Sequence, residues 1–227
     1  SDARVLDRVS YREAAEMSYF GAKVLHPKTI IPAADENIPI RIKNTFNPDF
    51  QGTLISAETP TQHQNVKTVT SITGLTLVSI EGRGMMGVAG IAGRVFMTTA
   101  ENRIGVLMFS QGSSEQHISL VVGKQDGEVA VKSLRRQFQH EIEHRRVDKI
   151  SGVTDVAIIA LVGEGMKGTP GVAARVFNVV GEGAIGIMMI AQGSSEINLS
   201  FVVRQKDATR AVQLLHSALE LGRRLGN

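Results

Sequence analysis

The chain has 227 residues, of which 42% are hydrophobic and 21% charged, so it can bury one large core or two small ones and is not disordered. Lys and Arg number 25 against 22 Asp and Glu, a net charge of +3 that favours neither nucleic acid nor an anionic membrane as partner. The sequence holds no cysteine, which excludes disulfides, thiolate metal sites and cysteine nucleophiles. No apolar run reaches the roughly 18 residues of a membrane span. The first residues do not resemble a signal peptide, so we expect a cytoplasmic protein.

The first 60 residues differ in composition from the rest. They hold five of the six prolines, whereas the sequence that follows is rich in glycine, valine and isoleucine. Within this head, Ser10 and Glu13 have the spacing of a capping box, which predicts a helix that starts at Ser10. Residues 40–46 predict a strand, and the polar residues 58–65 predict a linker or loop.

The sequence after the head contains two copies of one module, 81 residues apart. Three motifs recur at this offset without a gap, and chance does not produce such a match. The paired motifs are Gly82–Gly87 with Gly163–Gly168, Ala92–Phe96 with Ala173–Phe177, and Gln111–Glu115 with Gln192–Glu196. We therefore predict two modules of the same fold, at residues 66–145 and 146–222.

Each copy predicts the element order β-α-β-β-α. The predicted strands are 75–80, 104–109 and 116–122 in the first copy and 156–162, 185–190 and 197–203 in the second. Thr169 with Pro170, and also Asp126 and Asp207, are predicted to cap helices. The fold class is α+β, with two tandem ferredoxin-like modules whose helices cover one sheet face. A module this small has a thin core, so we expect the two to pair.

The glycine motifs also match the dinucleotide-binding pattern G-x-G-x-x-G. A nucleotide site needs an acidic residue at the end of the second strand. The chain has Ser110-Gln111 and Ala191-Gln192 there. The next predicted strand forms a hairpin instead of a parallel crossover, so we reject dinucleotide binding.

The remaining side chains do not predict an active site. His140 and His144 lie among glutamates on a predicted exposed helix face, and we do not expect them to bind a metal. The predicted turn-forming serines are Ser113, Ser114, Ser194 and Ser195. We therefore predict no catalytic residue and no metal ligand.

Both parts of the sequence resemble a known family. The pair of β-α-β-β-α modules resembles a tandem of ACT domains, the small amino-acid-sensing modules of biosynthetic enzymes. Head segments 10–30, 38–48 and 52–55 closely resemble the end of the aspartate kinase catalytic domain, above all in the string FGAKVLHP at residues 20–27. The two Gln-Gly-Ser-Ser-Glu turns are most similar to those of the threonine-sensitive bifunctional aspartokinase–homoserine dehydrogenases.

The resemblance implies a regulatory fragment of an enzyme that phosphorylates L-aspartate with ATP and magnesium, on the way to lysine, threonine and methionine. Residues 1–60 then correspond to the end of the kinase domain and a linker. These 227 residues contain neither the family's Lys-Phe-Gly-Gly phosphate-binding stretch nor a homoserine dehydrogenase domain, so we expect a fragment of the regulatory type. We expect this fragment to be inactive as a kinase by itself and to use no cofactor.

We expect each module to bind a free amino acid at the N-terminus of its first helix. Main-chain N–H groups beside the glycine turn would hold the carboxylate, and the Gln111 and Gln192 amides would pair with a side-chain hydroxyl, as the resemblance also implies. The predicted effector-binding residues are Met85, Gly87, Gly90, Ser110 and Gln111 in the first module and Met166, Gly168, Gly171, Ala191 and Gln192 in the second.

The identity of the effector is predicted from the second strands. Lysine would need a carboxylate for its ammonium group, as in lysine-sensing relatives, but residues 106–108 and 187–189 are all apolar. We therefore expect threonine, with lysine as the alternative. The other hypotheses are a structural dimerisation module without ligand and an enzyme that uses ATP or NAD(P). Expected partners are the amino acid and a second copy of the chain, with the head packed on the modules and carrying the signal to the kinase pocket.

Overall fold

The computed structural model describes residues 3–21, 25–57, 65–112 and 116–222. The head forms a small sheet with two helices packed on it. Its elements are β1 (Arg8–Ser10), α1 (Tyr11–Tyr19), α2 (Pro27–Asp35), β2 (Ile40–Ile42) and β3 (Thr53–Ser56). The strand order is β1-β3-β2, with β1 parallel and β2 antiparallel to β3.

The first helix of the head begins as predicted. Ser10 Oγ accepts the Glu13 N–H at 3.1 Å, and the Glu13 carboxylate accepts the Ser10 N–H at 3.0 Å. The predicted capping box is therefore confirmed. The predicted strand 40–46 is correct only as far as Ile42, because the chain turns soon after it. β2 pairs inside the head, and α1 of the head contacts the modules.

The rest of the chain forms one six-stranded sheet with helices packed on it. The strands are β4 (Thr68–Glu81), β5 (Val106–Gln111), β6 (His117–Gly123), β7 (Lys149–Val162), β8 (Ile187–Gln192) and β9 (Asn198–Arg204). The helices are α3 (Ile91–Glu101), α4 (Gly127–Gln137), α5 (Gln139–Glu143), α6 (Val172–Glu182) and α7 (Ala208–Ala218). The strand order is β5-β6-β4-β7-β9-β8, and all these pairs are antiparallel. The predicted α+β class is confirmed, whereas β4 and β7 extend to 14 residues each.

Strands β4 and β7 are long because each serves both modules. Residues 75–81 of β4 pair with β6 and with residues 149–156 of β7. Residues 68–72 of β4 pair with residues 158–162 of β7. Each module therefore has four strands instead of the predicted three. The fourth strand comes from the segment that precedes the first strand of the other module.

Two equivalent kinks divide these long strands into halves. Gly74 in β4 and Asp155 in β7 have φ values of 72° and 55°, and the register of the pairing shifts beside them. The Gly74 N–H donates to the Gln205 side chain at 2.7 Å, and the Asp155 carboxylate accepts a hydrogen bond from Lys124 Nζ at 2.7 Å. Irregularities of this kind bend a sheet. The two edge strands, β5 and β8, approach each other on the face away from the helices.

Both faces of the sheet are buried. One face packs against the helices in two clusters, one for each module, which contain Phe138 and Phe201. The other face forms a third cluster that includes Met108 and Met189 from the edge strands and Phe20 from the head. This shared cluster confirms that the two modules pair and that the head packs on them.

The predicted helix caps differ from the observed ones. α6 begins after Gly171, and Thr169 Oγ1 donates to the Gly165 carbonyl instead of capping the helix. Asp126 and Asp207 are at the N-cap positions of α4 and α7, but their side chains accept no hydrogen bond from these helices. A 3-10 turn leads into each of these two helices, so both aspartates have helical backbone angles instead of the extended ones that a capping side chain needs.

Candidate effector site

The fourth strand of each module, which precedes the first strand of the other module, is called here the exchanged strand: residues 149–156 in the first module and 68–72 in the second. The segments that lead into the exchanged strands shape the glycine turns after the first strand of each module. A Cβ on Gly82 would lie 2.3 Å from the Arg146 carbonyl oxygen, and a Cβ on Gly163 would lie 2.5 Å from the Asn65 carbonyl oxygen. Both carbonyls belong to segments that lead into an exchanged strand. Glycine is therefore required here by close backbone packing. This requirement accounts for the first glycine of the nucleotide-like pattern, and the antiparallel pairing of the sheet provides no parallel crossover beside it.

An exposed loop then leads into the first helix of each module. The loops are residues 86–90 and 167–171, and each follows a 3-10 turn. Four predicted site glycines in these loops have left-handed φ values between 65° and 87°, namely Gly87, Gly90, Gly168 and Gly171. The loop conformation depends on glycine at these positions, since other residues rarely adopt such angles.

The first turns of α3 and α6 present main-chain N–H groups. Within the described ranges, neither helix has a side-chain hydrogen bond at its N-cap. The first N–H groups of a helix have no acceptor inside it, and this end carries a partial positive charge that suits a carboxylate. Met85 and Met166 contribute differently, because their side chains lie in the module cores and their N–H groups donate to the carbonyls of Gly82 and Gly163. Met85 and Met166 therefore anchor the start of each loop in the module core.

Gln111 and Gln192 are at the ends of the two edge strands. Both are exposed, while the neighbouring residues Ser110 and Ala191 are half-buried. The register of β5, β6 and β4 places Gln111 at the same end of the sheet as the glycine turn that follows Glu81. Each module therefore has its glutamine and its glycine turn at one end, with one strand between them.

A residue that the sequence analysis did not select contacts the second loop. The Glu196 carboxylate accepts the Gly168 N–H at 2.7 Å. The predicted turn at Ser194 and Ser195, which precedes this glutamate, is confirmed. The sequence signal for this contact was the glutamate that ends both Gln-Gly-Ser-Ser-Glu motifs. The corresponding residues of the first copy lie outside the described ranges, namely Ser113, Ser114 and Glu115.

The described residues contain no group of three or more His, Asp or Glu that could hold a metal ion. His140 and His144 stack with ring centroids 4.1 Å apart, and His144 Nδ1 lies 2.8 Å from the His140 carbonyl oxygen. Every helix in the same part of the chain is too short or too polar to cross a membrane. Magnesium therefore finds no carboxylate cluster among the described residues.

Two four-stranded units that share a sheet, each with an exposed loop before its first helix, define a tandem of ferredoxin-like modules. The chain belongs to the ACT domain family, whose model matches residues 78–138 and 159–219. The model of the amino acid kinase family matches residues 1–44, which lie in the head.

Proteins that are similar to this chain in sequence and in fold include aspartokinases. The chain is 43% identical over 218 residues to a bifunctional aspartokinase/homoserine dehydrogenase of Haemophilus influenzae, covering 96% of this chain and 27% of that protein. Its fold is similar to the aspartate kinase of Clostridium acetobutylicum, with a TM-score of 0.83, 28% identity and coverage of 95% of this chain and 49% of that one. It is also similar to E. coli aspartokinase III in complex with lysine and aspartate, with a TM-score of 0.74, 30% identity and coverage of 96% and 46%. The resemblance to aspartokinases is confirmed, and the chain spans about a quarter of the length of the curated relative.

Proposed function

We propose that this chain is the regulatory region of an aspartate kinase and that its ACT modules bind a free amino acid. The observation that carries the proposal is the pair of exposed loops, 86–90 and 167–171, each of which leads into a helix N-terminus without a side-chain cap in the described ranges. Such an end suits the carboxylate of an amino acid. Similarity to aspartokinases over nearly the whole chain supports ATP-dependent phosphorylation of L-aspartate as the activity of the longer protein.

In the proposed complex, the carboxylate accepts hydrogen bonds from the N–H groups of the first helical turn of α3 or α6. The ammonium group is placed near carbonyl oxygens at the ends of β5 and β8. The carboxamide of Gln111 or Gln192 can either donate a hydrogen bond to a side-chain hydroxyl or accept one from it. A site that pairs with a hydroxyl discriminates against analogues without one, because its own polar groups would lose their partner.

We propose threonine as the effector and lysine as the alternative to be tested against it. Residues 106–108 and 187–189 supply no carboxylate for a lysine ammonium group, and burying that charge unpaired is costly. The Glu196 carboxylate is already engaged by the Gly168 N–H. Lysine is the direct competitor, because E. coli aspartokinase III was crystallised with it.

We propose that a second copy of the chain covers the loop of the first module. Four large apolar residues are exposed on and beside α3, namely Met86, Val88, Phe96 and Met97. The equivalent residues of the second module are Lys167, Thr169, Phe177 and Asn178. A cluster of exposed apolar side chains is typical of a protein–protein interface. The first module therefore has the surface that suits a homodimer, and the second does not.

Titration calorimetry of this chain with L-threonine tests the sensor proposal. We expect saturable binding of threonine and weaker binding of L-lysine. Gln111→Ala and Gln192→Ala should each weaken threonine binding by about 0.5–1.5 kcal/mol, the net contribution of one hydrogen bond. Gln137→Ala is the control, because it removes an exposed glutamine from α4. This variant should bind threonine with the same affinity as the unchanged chain. If neither amino acid binds to the monomer or the dimer, the sensor proposal is wrong.

A second candidate function is a structural module that dimerises and does not bind amino acids. The Glu196 contact favours it, because this carboxylate already satisfies one N–H group of the second loop. Sedimentation velocity with and without threonine distinguishes the two candidates. A dimer whose formation threonine does not affect, together with a flat calorimetric titration, supports the structural module.

Regulation by the effector would be a shift between two arrangements of the modules. An effector that binds one arrangement better stabilises it by the difference in binding free energy, typically about 1–3 kcal/mol. The head is placed to receive such a shift, because it contacts both modules. Tyr19 Oη donates to the Leu107 carbonyl at 3.2 Å, and Asn198 Nδ2 donates to the Glu16 carboxylate at 2.8 Å.

A further inference from the structure

One carboxylate joins the head directly to the glycine turn of the second module. Glu13 in α1 is fully buried. Its Oε1 accepts the Glu164 N–H at 2.9 Å. Its Oε2 accepts hydrogen bonds from Lys67 Nζ at 2.7 Å and from the Ser10 N–H at 3.0 Å. Glu164 is the first residue of the 3-10 turn that leads into loop 167–171, so this contact holds the base of the second loop.

The first module makes the same contact without the head. Arg83 corresponds to Glu164 through the 81-residue offset, and its N–H donates to the Asp148 carboxylate at 3.2 Å. The Arg83 side chain lies 3.8 Å from the same carboxylate. Asp148 in turn corresponds to Lys67 in the second module. Where the first module has its own aspartate, the second has a lysine that binds a carboxylate of the head.

The charge of the residue at the equivalent positions 148 and 67 determines which part of the chain supplies the carboxylate that accepts the N–H of the turn. Asp148 retains 43% of its side-chain exposure, whereas Lys67 retains 9% and Glu13 none. A buried ammonium group and a buried carboxylate depend on each other, because removal of either leaves an uncompensated buried charge. The ion pair with Lys67 therefore holds the Glu13 carboxylate of α1 beside the glycine turn of the second module. Asn198, which donates to Glu16, adds a further contact between α1 and the same module.

We infer that Glu13 is a positioning residue that couples the loop of the second module, and not that of the first, to the head. The inference rests on the proposed function, since it names which of the two effector loops communicates. Binding at loop 167–171 changes the turn at Glu164, and the Glu13 carboxylate carries that change into α1. By reciprocity, a disturbance of α1 changes the affinity of the second loop by the same factor.

Amide hydrogen exchange of the whole chain, measured by mass spectrometry with and without saturating L-threonine, tests this inference. The three segments to follow are α1, residues 83–90 and residues 164–171. In the unchanged chain, we expect threonine to slow exchange in both loops and to change exchange in α1 by about fivefold or more. In Glu13→Gln, the second loop should still respond to threonine, and the response of α1 should be smaller but not lost, because the contacts of Glu16 and Tyr19 with the modules remain.

Asp148→Asn is the matched control, because it alters the same carboxylate contact in the first module. In this variant α1 should keep its response to threonine. Glu13→Asp serves if Glu13→Gln does not fold. It keeps a negative charge beside Lys67, but its shorter side chain should lose the hydrogen bond to the Glu164 N–H.

A response of α1 that is undiminished in the Glu13 variants, or that Asp148→Asn reduces equally, would overturn the inference. If threonine and lysine leave both loops of the unchanged chain unaffected, the proposed function itself fails. The coupling is then measured without ligand. Glu13→Asp should speed exchange at residues 164–168 and leave residues 83–87 unchanged, and equal behaviour of the two turns would also overturn the inference.

Discussion

Gly74 and Asp155 have the same backbone conformation at equivalent kinks, but it is strained only at Asp155. At Gly74, φ is 72° and no atom lies within 4 Å of the position that a Cβ would take. At Asp155, φ is 55°. The left-handed conformation costs a residue with a side chain roughly 1–2 kcal/mol. The second kink keeps its aspartate, whose carboxylate binds Lys124 in the other module.

Alanine at position 74 should destabilise the chain by about 1 kcal/mol, because the substitution adds backbone strain and no steric clash. Gly93→Ala is the control for this change. Gly93 is inside α3 with equally open space around it, and alanine there should stabilise the chain by about 0.5–1 kcal/mol. Urea unfolding followed by circular dichroism measures both effects. Two changes of the same sign would contradict the argument from backbone conformation.

Arg94 joins α3 to α5 in the first module. Its guanidinium forms two hydrogen bonds with the Glu141 carboxylate and lies 4.4 Å from the centroid of the Phe138 ring. The hydrogen bond from Arg94 holds the pKa of Glu141 below its ordinary value of 4.5. In the second module, the equivalent Arg175 donates to the Ala218 carbonyl instead.

The Arg94–Glu141 pair should make the stability of the first module depend on pH. Because the pKa of Glu141 is lowered in the folded state, the unfolded chain takes up this proton first as the pH falls. The stabilisation is therefore present above pH 4.5 and is lost as the pH falls below it. Glu141→Gln should unfold at a lower urea concentration than the unchanged chain at neutral pH, and this difference should shrink as the pH falls below 4.5. A difference that is as large in acid as at neutral pH would rule out this explanation.

At the scale of the elements, the exchanged strands decide which piece of the chain can fold. Residues 75–157 contain all four strands of the first module. Residues 146–222 lack residues 68–72, and the edge of β7 that these residues cover is then exposed.

We expect a protein of residues 75–157 to unfold cooperatively in urea. A protein of residues 146–222 should gain cooperative unfolding only after addition of a peptide of residues 65–73, because the peptide replaces the missing strand. Circular dichroism during urea titration measures both. Cooperative unfolding of residues 146–222 without the peptide would show that the fourth strand is dispensable.

The repeat made most elements of the body predictable, because apolar periodicity is a local property of the sequence. The strand exchange was not predicted, since pairing between residues 68–72 and 158–162 depends on contacts far apart in the sequence. A signal was nevertheless present. Residues 69–73, Val-Thr-Ser-Ile-Thr, resemble residues 150–154, Ile-Ser-Gly-Val-Thr, at the same offset. The repeat therefore extends beyond the predicted first strands.

The candidate site was predictable in its glycines and less so in its polar contacts. Left-handed turns and close backbone packing leave a clear sequence signal, because glycine alone meets both demands. The contacts of Glu13 and Glu196 depend on how the head and the hairpins are placed in space. Thr169 followed by Pro170 has the sequence of a helix start, but the left-handed Gly171 delays the helix.

At the scale of the whole molecule, the two modules differ in surface although they share a fold. Met97 is 64% exposed on α3, and Asn178 takes its place on α6. Met97→Glu should shift the chain from dimer towards monomer, because a charge inside an apolar contact is costly. Asn178→Glu should leave the association unchanged. Sedimentation equilibrium measures both, and a dimer that tolerates Met97→Glu would place the interface elsewhere.

The sharing of β4 and β7 also suggests an origin for this chain. A polypeptide with a single copy of the 81-residue repeat would carry one long strand, half of which has no place in its own module. Two such polypeptides would complete each other around a twofold axis, as a domain-swapped homodimer. Gene duplication and fusion would make that association permanent and independent of concentration. Once fused, the two halves can differ from each other, as they do at the equivalent Asp148 and Lys67, of which Lys67 binds the Glu13 carboxylate of the neighbouring head.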